Sequence, residues 1–248
     1  MKYNRNYLAS VVVRVDFLVP VIDLNKPLPP KLQNAIIQNF PVPERREVQM
    51  QIGPMFVPPN SGPRNVVALD FYNGPRTRHL GIGPDFLFIE EIRYSDYETL
   101  RSSLLSAMNE LVTSPSEHPA TKRIGLRYVN VIPAPGNDPF DWHGYISSEL
   151  LSPILYAAKS QAGLCRGMTY LEFNDSDARF IVHYGMQNQD YPAPIRRKEF
   201  TLDLDSFVTG VVDYQQLPDT LDVLHSRIID TFESSILKNL RSVMAKNA

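Results

Sequence analysis

The sequence predicts an α+β protein made of two β-α-β-β-β-α halves, with antiparallel sheet or sheets and two long helices on one face. Three observations predict it. Each half reads as strand, helix, three strands, long helix, an internal duplication divided near residues 116–121 into 1–118 and 119–248. Connections between neighbouring strands are mostly short, which favours antiparallel pairing. The chain closes on an apolar stripe at steps of three or four residues, the mark of an amphipathic helix. At 248 residues the halves are expected to form one compact unit.

The elements follow from local pattern. Residues 8–18 alternate, with Val11, Val13, Val15 and Phe17 on one side, so a strand is expected. Pro29 and Pro30 suit a helix first turn; Leu32, Ala35, Ile36 and Phe40 recur at helical spacing, and Pro41 and Pro43 should end the helix. Strands are expected over 47–56, 65–72 and 85–94, with 77–82 as a short edge segment interrupted by Gly81 and Gly83. Asn73-Gly74-Pro75 is a turn. Ser95 and Glu98 match a capping box, and Leu100, Leu104, Met108 and Leu111 share the face of the helix behind it. A polar loop is expected over 113–121.

The second half opens on a strand, Ile124-Gly125-Leu126-Arg127-Tyr128-Val129-Asn130-Val131-Ile132, closed by a Pro/Gly/Asp loop. A helix is expected over 146–161; Pro153 after Ser152 suggests the alternative of a start there, with Ser152 as N-cap. Strands at 166–174, 178–186 and 198–207 follow, the first two joined by a turn at 174–177. Pro218 and Asp219 open the last helix, whose stripe runs through Leu221, Leu224, Ile228, Phe232, Ile236, Leu240 and Val243.

Composition excludes several function classes. A hydrophobic share of 43% with 21% charged residues is that of an ordinary globular protein. A net charge of −2 disfavours nucleic acid, whose binding needs a basic excess. A saddle-like nucleic-acid surface would require a basic stripe from Arg123, Arg127, Arg179, Arg196 and Arg197. One cysteine, Cys165, leaves no internal disulfide and fits a reducing compartment. Asn4, Arg5 and Asn6 lead into a strand instead of a signal segment, and no apolar run approaches the roughly 20 residues that span a bilayer. The expectation is a cytoplasmic protein without a membrane partner.

The binding candidates are Arg127, Asn130 and Trp142. An arginine and an asparagine inside an apolar strand can line a cleft and hold a carboxylate, phosphate or partner backbone. The competing structural reading has Arg127 held by an Asp or Glu of a neighbouring strand. Trp142, in a loop rich in Pro and Asp, is the candidate interface anchor. The carboxylates Asp70, Glu90, Glu91, Asp203 and Asp205 lie on strands. A metal-dependent hydrolase or nuclease would draw on them, yet Arg93 stands where a nuclease-like pattern built on Asp70 and Glu91 wants lysine. The histidines 79, 118, 143, 183 and 225 show no zinc spacing, and Cys165 has no local histidine. No Gly-x-Ser-x-Gly elbow occurs, and Gly81-Ile82-Gly83 is followed by Pro84-Asp85 instead of a helix, so it cradles no phosphate. No catalytic residue, metal or cofactor is assigned.

Two blocks carry a family resemblance: Arg123 through Asn130, and Leu221-Asp222-Val223-Leu224-His225 continuing through Phe232-Glu233 to Leu240 through Met244. With the strand at 86–93, they resemble a sporadically distributed prokaryotic family of about this length. Its members carry a similar Arg-Ile-Gly-Leu-Arg-Tyr-x-Asn strand and C-terminal helix. The resemblance covers nearly the whole chain except residues 7–17, which depart from the family's more acidic opening strand. It implies a fold and a size, and no assigned reaction. By analogy of element order alone, the halves resemble the TATA-binding-protein-like and SOUL-like folds. The expectation is a binding or accessory protein that engages a protein partner or a small ligand through a sheet face or the cleft between halves. The family's scattered distribution implies a role in a mobile toxin–antitoxin or antiviral operon. A homo-oligomer is compatible with all of this.

Overall fold

The computed structural model describes residues 3–24, 26–49, 65–111, 119–134, 136–159, 163–175 and 178–245. Within them the chain is α+β. The first half runs β1 (Leu8–Phe17), α1 (Pro30–Asn39), β2 (Val42–Gln49), β3 (Asn65–Tyr72), β4 (Arg78–Gly83), β5 (Phe86–Glu91) and α2 (Tyr97–Leu111). The second runs β6 (Thr121–Pro133), α3 (Ser148–Ala158), β7 (Gly167–Asp175), β8 (Ala178–Met186), β9 (Glu199–Val212), a short 3-10 turn (Tyr214–Gln216), α4 (Leu217–Ser235) and α5 (Lys238–Ala245). Nine strands form a sheet in the order β2-β3-β4-β5-β1-β6-β9-β8-β7. The pairings β2–β3, β3–β4, β4–β5, β7–β8 and β8–β9 are antiparallel. The expected strand residues 50–56, the loop at 58–63, most of the loop at 113–121 and part of the turn at 174–177 lie outside the described residues.

The chain gathers into two compact units, each assembled from separate segments. The Arg127 unit holds Met1–Val11, Gly125–Val208 and Leu221–Ala248; the His79 unit holds Val12–Ile124 and Thr209–Thr220.

Strand alternation gives each unit one helix-covered and one open face. In the His79 unit, Leu80, Ile82, Leu87 and Ile89 are buried with Leu100, Leu104 and Met108 of α2. Arg78, on the same side as Leu80, donates to Ser103 of α2 at 3.0 Å and to Glu91 at 2.7 Å. In the Arg127 unit, Leu126, Tyr128 and Ile132 of β6 are buried together with Leu221, Leu224 and Ile228 of α4. The Tyr128 ring lies 5.9 Å from the His225 ring of α4, which fixes the covered face.

Five expectations are corrected. Residues 42–46 are strand, although Pro43 was expected to mark only a helix end. β2 stands last in the sheet order, where a proline's missing N–H can face outward. β4 is flanked on both sides, by β3 and β5, and is not an edge segment. A Cβ on Gly81 would run into the Phe88 ring, and one on Gly83 into the Phe86 ring. The two glycines make room for rings laid across the strand, an arrangement that compensates a strand glycine's missing side chain. The cap of α2 is Asp96, whose carboxylate accepts from the Thr99 amide at 2.8 Å, not Ser95. α3 begins at Ser148, so Pro153 sits inside it. The final stripe is split between α4 and α5: Leu237 N–H donates to the Tyr145 carbonyl at 2.8 Å and Asn239 N–H to that of Gly144 at 3.0 Å. Those bonds take the backbone out of the helical ladder near Ile236 while the apolar stripe continues.

Candidate functional site

The open faces carry the polar and aromatic side chains of interest. In the Arg127 unit, cross-strand register sets Tyr170 of β7 beside His183 of β8, and His183 beside Asp203 of β9. Arg127 of β6 completes this row. Its guanidinium grips Asp203 with two hydrogen bonds, 2.8 Å and 2.6 Å, the fork geometry that makes arginine–carboxylate pairs strong. His183 Nδ1 lies 3.9 Å from the same carboxylate, and the Tyr170 and His183 rings are 6.3 Å apart. Asp203 is nearly covered while half of the Arg127 side chain meets solvent (9% and 51% exposed). Arg127 therefore has the carboxylate partner that the structural reading expects, and it still offers a positive, partly exposed surface.

Asn130 does not join it. Arg127 and Asn130 are three positions apart, an odd offset, so period two puts them on opposite faces of β6. Asn130 is buried on the helix side and donates to the Leu202 carbonyl of β9 at 3.1 Å. A shared cleft for both residues is thereby corrected; Asn130 fastens β6 to β9. Trp142 is corrected as well. It is 1% exposed, its indole N–H donates to the Pro139 carbonyl at 2.9 Å, and its ring lies 5.5 Å from that of Phe200. A ring so enclosed anchors its own loop.

The His79 unit carries a second row. Register places Tyr72 of β3 beside His79 of β4, and His79 beside Glu90 of β5. The Tyr72 and His79 rings stack at 4.5 Å, and Phe88 meets His79 edge-on at 4.9 Å. Phe86 continues the row 6.2 Å from Phe88. Arginines cap both ends: Arg76 lies 4.6 Å over Tyr72 and Arg14 lies 4.5 Å over Phe86. Arg14 pairs with Asp16 at 2.6 Å, and Arg76 pairs with Glu44. His79 Nε2 meets the buried Asp70 carboxylate at 2.9 Å, with Glu90 at 4.0 Å from its other ring nitrogen. Burial works against a charged His79, but the neighbouring carboxylates of Glu90 and Asp70 prevail and raise its pKa.

Sequence reading missed these rows because each member comes from a different strand. Their only sequence trace is a Tyr and a His on adjoining strands in both halves. The nuclease-like pair is split by the sheet: Asp70 lies on the open face, whereas Glu91 is fully buried beneath α2 against Arg78. Among the described residues, no three His, Cys, Asp or Glu side chains converge as a metal site would need. The arginines of the expected basic stripe are partly neutralised: Arg127 by Asp203, Arg179 by Glu172 at 3.4 Å and Arg197 by Asp190 at 3.3 Å.

The two half-buried imidazoles, His79 and His225, titrate in opposite senses. Burial holds His225 down to about 4, only partly offset by Asp222. Its unfolded value is near 6.5, so the unfolded chain takes up the proton first. Stability is expected to fall as pH drops from about 6.5 to about 4, by on the order of 1–2 kcal/mol given the ring's partial exposure. His79, raised, contributes stability that is full below about 6.5 and lost as pH climbs through its folded value. Urea midpoints across pH should show the acid-side loss disappear in His225→Phe and the alkaline-side loss shrink in His79→Phe. Unchanged profiles would refute both assignments.

Among the described residues no helix is long and apolar enough to cross a membrane. No family model and no curated protein matches the chain.

Proposed function

We propose that the chain is a non-enzymatic binding module, an accessory protein that holds a protein partner on the open sheet face. One observation carries this reading: the open faces display ordered rows of tyrosine, histidine, phenylalanine and arginine held by cross-strand contacts. Tyrosine, phenylalanine and arginine are the residues enriched at protein interfaces. Such rows lose little side-chain freedom on binding. The carboxylates Asp16, Asp70, Glu172 and Asp203 each meet a cationic or imidazole group, which suits a contact surface better than a general base or a metal ligand set.

Two further points support an internal duplication of the TATA-binding-protein-like kind. Strand order reads β1-β5-β4-β3 in one half and β6-β9-β8-β7 in the other. The row Tyr72–His79–Glu90 on β3, β4 and β5 repeats as Tyr170–His183–Asp203 on β7, β8 and β9. The accessory role in a mobile operon belongs to the same reading and rests on the family resemblance.

The test is affinity capture from the native host with wild type and Tyr170→Ala. Tyr170 is 57% exposed, so its loss should leave folding intact. A specific protein held by wild type should be depleted about tenfold or more with the variant. Equal recovery would overturn the proposal.

A further inference from the structure

A groove of about 400 Å³ lies on the helix side of the His79 unit, where the segment before α1 crosses β2 and β3. Cavities of about this size hold small organic ligands. The floor is apolar: Leu24, Leu28 and Phe71 are buried, with Leu69 beside them. The rim is cationic, formed by Lys26 and Arg45. Register explains the juxtaposition. Arg45 stands opposite Leu69, and Pro43 opposite Phe71, so both share the face that carries the apolar floor. Arginine at an apolar-side strand position covers hydrophobic surface with its stem and keeps its head at the groove mouth. Asp23 touches the rim, 3.6 Å from an Lys26 that is 78% exposed, an arrangement worth little in water. No described residue forms an ion pair with Arg45. The rim is therefore net positive over a greasy floor.

We propose that this groove binds a small amphipathic anion: a carboxylate or phosphate head on a medium-chain acyl or single-ring body. The head takes the Arg45 fork, which matches either oxyanion bidentately, with Lys26 as the supporting point charge. The body lies on Leu24, Leu28 and Phe71. The site is separate from the open-face rows, since Leu69 and Phe71 alternate with Asp70 and Tyr72 along β3.

Calorimetric titration of the full chain with decanoate, decyl phosphate, 1-decanol and decyltrimethylammonium tests it. Decanoate, decyl phosphate or both should bind saturably below their micellar concentrations, and the neutral and cationic chains about tenfold more weakly or not at all. Arg45→Ala should weaken anion binding about tenfold, and Lys26→Ala several-fold. Both side chains are exposed, so the variants should keep their near-ultraviolet circular dichroism. If neither anion binds, if alcohol binds as well as decanoate, or if the Arg45→Ala/Lys26→Ala chain binds like wild type, the proposal fails.

Discussion

Trp142→Ala is expected to lower unfolding stability by about 3–5 kcal/mol, the range for deleting a large enclosed aromatic side chain. The ring is 1% exposed and packs near Phe200. Its N–H satisfies the Pro139 carbonyl, so alanine also leaves a loop acceptor without its donor. Lys198 Nζ stands 5.7 Å over the indole and 5.5 Å over the Tyr145 ring, so the loop loses its central contact. Urea denaturation checks this. Trp142→Phe should recover part of the loss through burial alone, without the hydrogen bond. A partner-anchoring tryptophan would behave otherwise: truncation would weaken binding and barely move the urea midpoint.

Arg127→Ala is expected to cost about 2 kcal/mol. The cost is less the lost attraction than the state left behind, since the Asp203 carboxylate, 9% exposed, would be left without its bidentate partner. His183 at 3.9 Å is too distant to replace two hydrogen bonds. A cycle with Asp203→Ala separates these effects. The double variant should be more stable than Arg127→Ala alone, and the coupling between the positions should be about 1 kcal/mol or more. Arg127→Lys should recover only part, because an ammonium cannot reproduce the fork. Additive losses would show that the pair is a surface contact of no consequence.

The legible parts of the sequence were those with a period. The alternation of Val11, Val13, Val15 and Phe17 gives β1, and that of Phe180, Val182 and Tyr184 gives β8. The stripe from Leu221 to Phe232 gives α4. Features set by distant backbone were not legible. The break between α4 and α5 is made by carbonyls of Gly144 and Tyr145, some ninety residues upstream, while the stripe itself continues unbroken. Gly81 and Gly83 read as interruptions because their compensating rings, Phe88 and Phe86, sit on the next strand. Within the site, Arg127 was legible as a polar intrusion in an apolar strand. Its three-residue offset from Asn130 already separates their faces by strand period alone. The burial of Trp142 was not legible, because Pro and Asp around it signal a loop and say nothing of what closes over that loop.

The central claim is that the open sheet face, not the helical one, meets the partner. Site-specific photo-crosslinking tests it most directly. A benzoylphenylalanine replaces Tyr170 on the open face in one chain and Val223 of α4, 59% exposed, in another. Both chains are irradiated in complex with the captured protein. Crosslinks from position 170 and none from 223 are predicted; crosslinks from 223 with none from 170 would contradict the account.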